Sequence, residues 1–295
     1  MRIVYYRGVH PNFGDELNTW MWPRILPGFF DDDGQVLFMG IGSIIDAHYD
    51  QAATKVIFGT AFVPQYNRMP DLTRGDWDVY FVRGPRTARL LNLSPALSLG
   101  DSAILIRTLV NYRQRNPEVV SFIPHWESLE RGNWQQVCRL AGINLIDPRR
   151  PVEEVITELL RSRLVIAEAM HGAIVSDALR VPWVPLLPID DMHRAKWFDW
   201  AEALGMVLDP YRLWPSSLPE AKVALARHPA LVRLTNSIVS SPACDLSEKA
   251  VTHLAAHRLT RLAKAIPVLS EDNILNSVTE RMLDKVHQLR RTYAS

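Results

Sequence analysis

The sequence predicts an α/β protein made of two doubly wound lobes and a C-terminal helical extension. Short apolar runs alternate with helical segments over roughly the first 200 residues, as in parallel sheets whose strands are joined by crossover helices. A polar stretch at 111–118 interrupts this alternation, the same pattern then restarts, and from about Ala221 the chain becomes mainly helical. We therefore expect lobes at 1–112 and 113–215 and a helical extension at 216–295.

In the first lobe, four apolar runs are predicted to be strands. They cover residues 2–6, 36–40, 55–59 and 78–83. A helix is expected to begin near Pro85, because a proline in the first turn of a helix removes an amide that has no helical partner.

The second lobe repeats this alternation of strands and helices. Strands are expected at 119–123, 143–146, 164–167 and 183–187, and helices at 132–141, 151–162, 170–179 and around Lys196 and Trp200. The extension adds helices at 251–266 and 274–289, and five apolar residues of the last helix share one face: Ile274, Val278, Met282, Val286 and Leu289. Because ligands bind beyond the carboxyl ends of the strands in such sheets, we expect the site in the cleft between the lobes.

Composition and charge narrow the class of function. Hydrophobic residues make up 47% of the 295, and 33 basic residues face 32 acidic ones, so no overall field favours nucleic acid. Cys138 and Cys244 lie far apart and fit neither a disulfide framework nor a zinc site. The amino terminus is predicted to be a strand rather than a signal peptide, and no apolar stretch is long enough for a membrane span. These features predict a globular cytoplasmic protein without a metal ion.

The segment 163–179 is the most informative part of the chain. A buried strand ends at Glu168 and turns into a helix that starts near His171 and Gly172. Such a junction faces the ligand crevice, and the amides at a helix N-terminus favour an anion. The alternative is that His171 only caps the helix.

An arginine holds the corresponding position in the first lobe. The strand at 78–82 leads to Arg83, and Arg86 follows at a helix start. A guanidinium suits a phosphate or carboxylate because it binds both oxygens at once. The alternative is an arginine that pairs with an acidic side chain.

Three further loops follow predicted strands. Asn12, Asp15 and Glu16 follow the first strand and are candidates for binding sugar hydroxyls or for capping a helix. The sequence Gly40-Ile-Gly-Ser follows the second strand, and its glycines Gly40 and Gly42 permit close backbone approach, but it lacks the dinucleotide fingerprint. His125 and Trp126 follow the strand at 119–123 and indicate either a phosphate contact or a histidine packed in a loop.

Seven segments together resemble the polysaccharide pyruvyl transferase family, especially the bacterial branch that places ketal pyruvate on exopolysaccharides such as xanthan and succinoglycan. They are Asn12-Phe-Gly-Asp-Glu-Leu, Gly40-Ile-Gly-Ser, Val82-Arg83, Gly100-Asp101, Ile123-Pro-His-Trp, 167–178 and Lys196-Trp-Phe-Asp-Trp. They occur in family order over residues 1–205, and this order carries the resemblance more than any one segment does. Many relatives have an arginine where this chain has Ala169.

The resemblance implies a GT-B-like pair of Rossmann-like lobes, with the acceptor side in the first lobe and the donor side in the second. It implies phosphoenolpyruvate as co-substrate, no cofactor, and a lipid-linked oligosaccharide as acceptor. We expect His171 to act as general acid and base, and Glu168 to orient it or to stabilise positive charge. Expected donor-binding residues are Arg83, His125, Lys196 and Gly172, and expected acceptor-binding residues are Asn12, Asp15, Glu16, Gly42 and Ser43.

Two other functions fit the same outline. A GT-B glycosyltransferase using a nucleotide sugar would have the same two lobes. A non-catalytic partner of a membrane assembly would dock through the C-terminal helices, where residues 252–266 set basic side chains against apolar ones as in an interfacial helix. The sequence leaves three points open. They are peripheral contact with the inner membrane through these helices, the identity of the acceptor sugar, and the oligomeric state.

Overall fold

The computed structural model describes residues 1–74, 76–114, 116–240 and 244–293. The chain forms two compact units, neither of which is continuous in sequence. The first unit contains Met1–Gln114, Ala195–Leu208 and Ser270–Ser295, and the second contains Arg115–Arg194 and Asp209–Leu269. The helical segments after residue 209 are thus divided between the units, with 209–269 in the second and 270–295 in the first.

The strands and helices fall largely where the sequence predicts them. The strands are β1 (Arg2–Val4), β2 (Val36–Met39), β3 (Thr54–Phe58), β4 (Trp77–Phe81), β5 (Val119–Ile123), β6 (Asn144–Leu145), β7 (Ser162–Ala167), β8 (Trp183–Leu187) and β9 (Tyr211–Arg212). The helices are α1 (Phe13–Ile25), α2 (Pro85–Leu90), α3 (Trp126–Arg131), α4 (Trp134–Ala141), α5 (Val152–Arg161), α6 (Met170–Ala178), α7 (Ala195–Ala203), α8 (Leu218–Ala224), α9 (Pro229–Val239), α10 (Cys244–Leu262) and α11 (Asp272–Tyr293).

The first unit has a parallel sheet whose strands lie in chain order, β1-β2-β3-β4. Only α1 crosses over between its strands, since the described residues that join β2 to β3 and β3 to β4 form no helix. Each connection contains two glycines and two aspartates, the second also contains Pro64 and Pro70, and these residue types favour turns. The prediction of a parallel α/β lobe is confirmed, but the strand-order reversal of a doubly wound sheet is absent from the described strands of this unit.

The second unit has a parallel sheet in the order β6-β5-β7-β8-β9. Its strand order reverses between β5 and β7, which is the doubly wound arrangement that the sequence predicts. In such sheets the crevice for ligands opens beyond the carboxyl ends of the strands on either side of the reversal. The ends of β5 and β7 therefore define where to look for a site.

The core of each unit is built on its sheet. In the first unit, the ring of Trp22 on α1 meets Phe38 and Phe58 edge to face at 4.8 and 5.4 Å. In the second, Phe122 of β5 packs against Trp134 of α4 with ring centroids 4.9 Å apart. All five side chains are buried, so in each unit aromatic packing fixes a helix to one face of the sheet.

The C-terminal helices use their apolar faces for packing. Ala255, Ala256, Leu259 and Leu262 of α10 are buried in the core cluster that also contains Trp134 of α4. The buried face of α11 is the predicted one, except that Leu275 rather than Ile274 begins it. The apolar side of α10, which the membrane-docking alternative requires, is therefore largely used within the second unit.

No helix in the described part of the chain combines the length and the apolarity that crossing a bilayer requires.

Candidate active site

The second sheet places two polar residues directly at its strand reversal. Strand β5 ends at Ile123 and leads through Pro124 to His125, while β7 ends at Ala167 and leads to Glu168. The backbone N–H groups of Glu168 and Ala169 both donate to the carbonyl of Ile123, at 3.0 and 3.2 Å. These bonds continue the strand pairing into the turn and hold the two ends together.

The carboxylate of Glu168 is fully buried and accepts three hydrogen bonds from neighbouring loops. Its donors are the backbone N–H of His125 at 2.9 Å, the hydroxyl of Ser128 at 2.8 Å and the backbone N–H of Ile189 at 3.0 Å. The first two lie after β5 and the third after β8. Glu168 thus connects the segments that follow both neighbours of its own strand. Its expected role in orienting His171 stays a prediction.

Burial raises the pKa of Glu168 above its ordinary value, while the three hydrogen bonds act in the opposite direction. Arg131, on α3, also favours the charged form through its positive charge. A carboxyl group held in this way serves best as a fixed acceptor for the surrounding loops.

His171 lies in the first turn of α6. The N-cap of that helix is Ala169, which has no side-chain oxygen to accept from the first-turn amides. His171 is therefore not the helix cap, contrary to the alternative that the sequence leaves open. Its side chain is half-buried at the same sheet edge as His125 and Glu168.

Gly172 permits close packing of α6 on β5. A Cβ atom at this position would lie 2.7 Å from Cγ2 of Ile123, so a larger residue would force the helix or the Ile123 side chain to shift. The expected role of Gly172 in donor binding stays a prediction, and its contact with Ile123 is the contribution that the structure shows.

His125 belongs to a cluster that includes a histidine the sequence analysis did not select. Its ring stacks on that of His193, with centroids 4.3 Å apart and planes 25° apart. Glu127, in the first turn of α3, lies 3.3 Å from Nε2 of His193 and 4.0 Å from Nδ1 of His125. His193 is 66 residues from Glu127 in the chain, so the pattern of neighbouring residues gave no signal for it.

In the first unit, Arg83 follows β4 and is fully buried. Its Nε lies 3.4 Å from Asp199 Oδ2 of α7, and its Nη1 donates to the hydroxyl of Ser43 at 3.0 Å. The alternative reading of an arginine paired with an acid is thus seen here, but inside the protein rather than on its surface. Among the contacts of the described residues, its Nη2 has no hydrogen-bond partner.

Asp199 joins Arg83 to the start of α2. Its carboxylate accepts from the backbone N–H groups of Arg86 and Thr87, at 2.9 and 3.1 Å, and from the hydroxyl of Thr87 at 2.7 Å. It therefore serves the first amides of α2 as an N-cap would, although it lies on another helix. The motif Lys196-Trp-Phe-Asp-Trp contained this residue, but nothing in the sequence indicated its partners.

Four of the expected acceptor residues meet at the carboxyl edge of the first sheet. Asn12 donates to Asp15 at 2.7 Å, and a Cβ at Gly42 would lie 3.9 Å from Asp15 Oδ1. Gly42 has a φ of +124°, which favours glycine, and Ser43 beside it accepts from Arg83. Asn12 is the N-cap residue of α1, but its side-chain oxygen accepts no hydrogen bond from the first amides of the helix. Its side-chain nitrogen donates to the carboxylate of Asp15.

The remaining two expected site residues of the first unit are Glu16, next to Asp15 on α1, and Lys196 on α7. Glu16 and Asn12 help to line a surface cavity of about 340 Å³ together with the segment Tyr5 to Pro11. Lys196 is half-buried on α7, and Trp197 and Trp200 beside it are buried, as expected for core residues. The expected donor residues are therefore divided, with Arg83 and Lys196 in the first unit and the other two in the second.

The chain is similar in sequence to proteins of a known family. A family model described as "Polysaccharide pyruvyl transferase" matches residues 50–190, a range that includes Arg83, His125 and His171. The chain is also 32% identical over 317 residues to "Succinoglycan biosynthesis protein ExoV" of Rhizobium meliloti (strain 1021), covering 99% of this chain and 100% of that protein. No solved structure matches this chain.

Proposed function

Because this chain belongs to the polysaccharide pyruvyl transferase family, we propose that it transfers pyruvate from phosphoenolpyruvate to a sugar diol of a lipid-linked oligosaccharide. The product would be a pyruvate ketal in exopolysaccharide biosynthesis, in keeping with the relative ExoV, which is named as a succinoglycan biosynthesis protein. The observation that carries the proposal is the meeting of His125, Glu168 and the first turn of α6 at the strand reversal of the second sheet.

The reaction needs a group that moves protons beside a site for anions. A proton adds to the methylene carbon of phosphoenolpyruvate, and the first sugar hydroxyl attacks C2 as positive charge develops there. Phosphate then leaves as the second hydroxyl closes the ketal. The two hydroxyl protons are thus accounted for. The first returns to the group that protonated the methylene carbon, and the second leaves with phosphate. No cofactor takes part in these steps, and phosphoenolpyruvate is a co-substrate.

We assign the proton transfers to His171. An imidazole is suited to this role because its ordinary pKa is close to neutral pH. The position of His171 in the first turn of α6 supports the assignment, because the positive end of a helix also favours an anionic substrate.

Donor binding is assigned to His125, Arg83, Lys196 and Gly172. Both Arg83 and His125 are held by buried carboxylates, Arg83 through its side chain and His125 through its backbone. Gly172 supports the site by letting α6 approach β5. In the proposal the two Rossmann-like units correspond to the lobes of a GT-B-like enzyme.

Acceptor binding is assigned to the carboxyl edge of the first sheet. Asp15, Gly42 and Ser43 meet there, and the cavity beside them contains Tyr5 and Tyr6 together with Asn12 and Glu16. Aromatic faces with carboxylate and amide oxygens suit a sugar, whose rings have apolar faces and hydroxyl rims. A lipid-linked acceptor would bring the enzyme to the cytoplasmic face of the inner membrane. Peripheral contact would then use exposed side chains of α10, such as Leu246 and Leu254.

The proposal is tested first by ligand binding. Thermal unfolding is compared with phosphoenolpyruvate, pyruvate, phosphate and a panel of nucleotide sugars, since a ligand at 100 times its dissociation constant stabilises the native state by about 2.7 kcal/mol. We expect phosphoenolpyruvate to raise Tm by several degrees. A shift with nucleotide sugars alone would replace the proposal with glycosyl transfer.

Turnover is tested with a lipid-linked oligosaccharide extracted from cells that lack this protein. Phosphate release and ketal formation should rise together, and His171→Ala should lower kcat about 10²- to 10⁴-fold with an unchanged unfolding transition. The matched control is His228→Ala, an exposed histidine directly before α9, which should leave kcat unchanged. Wild-type turnover by His171→Ala would exclude the role given to this residue.

A further inference from the structure

A cluster of two imidazoles and one carboxylate lies where β5 and β8 lead into their following segments. His125 is the N-cap residue of α3, Glu127 lies in the first turn of that helix, and His193 ends the short 3₁₀ helix Asp191–His193. One ligand atom from each of these side chains lies within 4.8 Å of the others. Both imidazoles approach the same oxygen, Oε2 of Glu127.

The cluster is held in place before any ligand arrives. The backbone of His125 is fixed by Glu168, and its ring is stacked on that of His193. The histidine side chains are 11% and 13% exposed, so both rings are largely buried within the second unit. Arg131 donates to Glu127 Oε2 from both terminal nitrogens at 3.3 Å and so orients the carboxylate.

Glu127 supplies the carboxylate of the cluster and is paired with Arg131. Arg131 also opposes a cation by its own charge. A metal here would therefore rely on the two imidazoles for much of its affinity, with Arg131 acting on the carboxylate as outer partners of metal ligands commonly do.

The distances fit a tetrahedral metal with small adjustment. Metal bonds of about 2.0–2.1 Å place neighbouring ligand atoms about 3.3 Å apart in a tetrahedron. His193 Nε2 and Glu127 Oε2 are already 3.3 Å apart, and His125 Nδ1 is 4.0 Å from the same oxygen. The three ligand atoms lie within 4.8 Å of one another, so a bound metal would have to draw the His125 ring closer to this oxygen.

From this geometry we infer that His125, Glu127 and His193 form a binding site for a first-row transition-metal dication such as Zn²⁺. Two imidazole nitrogens and one carboxylate oxygen suit Zn²⁺, Mn²⁺, Fe²⁺ or Co²⁺, whereas Mg²⁺ and Ca²⁺ prefer oxygen ligands alone. The sequence-based expectation of no metal rested on the spacing of nearby residues. This set includes a residue 66 positions away from Glu127 and is formed only by the fold.

The test measures metal binding without substrate, so its outcome is independent of pyruvyl transfer. The full chain, freed of metal with a chelator, is dialysed to equilibrium against Zn²⁺, Co²⁺ or Mg²⁺, and bound metal is counted by mass spectrometry. We expect one equivalent of Zn²⁺ or Co²⁺, a visible absorption band for bound Co²⁺, and no stoichiometric Mg²⁺.

Two variants and a matched control locate the site. His193→Ala and Glu127→Gln should each weaken Co²⁺ binding at least tenfold, with thermal unfolding used to show that both are folded. The control is His48→Ala, because His48 Nδ1 lies 2.9 Å from Asp46 Oδ1 and the other charged partner of that carboxylate is Arg68, and the variant should bind Co²⁺ like the wild type. The inference is overturned if the wild type binds no stoichiometric metal, or if folded His193→Ala and Glu127→Gln bind it with unchanged affinity.

Discussion

The carboxylate of Glu168 accepts a hydrogen bond from the backbone N–H of His125 at 2.9 Å, so an acid after one strand fixes the residue that follows the neighbouring strand. The same carboxylate also binds the segment after β8 through Ile189. Three loops of the candidate site therefore share one buried anchor. In this arrangement Glu168 is a positioning residue, because it acts on the backbone from which candidate substrate-binding and metal-binding side chains extend.

Replacing this anchor should affect stability and the site together. Glu168→Ala leaves the donors from His125, Ser128 and Ile189 without their acceptor, and we expect it to lower the free energy of unfolding by about 2–5 kcal/mol. Urea denaturation measures this loss. The control Glu154→Ala removes an exposed carboxylate paired with Arg150 and should change stability by less than about 1 kcal/mol. Equal effects of the two substitutions would contradict the anchoring role.

A second prediction concerns the buried pair of Arg83 and Asp199. Asp199→Ala removes the carboxylate that faces a fully buried guanidinium, and we expect a loss of about 3–5 kcal/mol. Adding Arg83→Met should recover part of this loss, because the remaining buried charge is then gone. A double-mutant cycle in urea should give a coupling above about 1 kcal/mol, whereas losses that add within about 0.5 kcal/mol would show that the two residues act separately.

The sequence predicted the strand that carries Glu168 and the helix that carries His171 because both have strong local signals. The run from Leu164 to Ala167 is continuously apolar, as in a strand buried on both faces, and the next apolar segment has helical length. The carboxyl edge of a parallel sheet then follows from general geometry. For this reason the positions of His125 and His171 could be anticipated without a structure.

The partners of these residues could not be anticipated in the same way. Asp199 caps α2 from a segment more than 100 residues later in the chain, and His193 joins Glu127 across 66 residues. Such contacts depend on how helices and loops pack, and no local period or spacing encodes them. The connections after β2 and β3 were also predicted incorrectly, since the expected crossover helices do not occur among the residues described there.

A third prediction concerns the contact between α6 and β5. Gly172→Ala would place a methyl group 2.7 Å from Ile123 Cγ2 in a closely packed region, and we expect it to lower the free energy of unfolding by about 1–3 kcal/mol. Ile123→Ala removes the atoms that the methyl group meets. The double variant should therefore be more stable than the sum of the two single losses predicts, as measured by urea denaturation. A Gly172→Ala protein of unchanged stability would show that α6 can shift away from the strand.

A fourth prediction concerns the pH dependence of stability through Glu220, a buried acid of α8 in the second unit. Burial raises its pKa to about 7, although its carboxylate accepts from Trp134 Nε1 at 2.7 Å and from the hydroxyl of Ser216 at 2.6 Å. Because the folded-state pKa lies above the ordinary value of 4.5, the folded protein holds this proton more tightly than the unfolded chain does. Its contribution to stability is therefore complete below pH 4.5 and is lost as the pH rises through 7.

Glu220→Gln isolates this contribution, because glutamine has a similar shape and does not titrate. Between pH 5.5 and 8.5 the wild type should lose about 2 kcal/mol of unfolding free energy relative to the variant, since each pKa unit corresponds to about 1.4 kcal/mol. Urea denaturation of both proteins at the two pH values gives this difference. Most titrating groups cancel because both proteins contain them, whereas the charge interaction between Glu168 and Glu220 is part of the measured difference. Parallel pH profiles for the two proteins would mean that Glu220 titrates alike in the folded and unfolded states, and that its hydrogen bonds fully offset its burial.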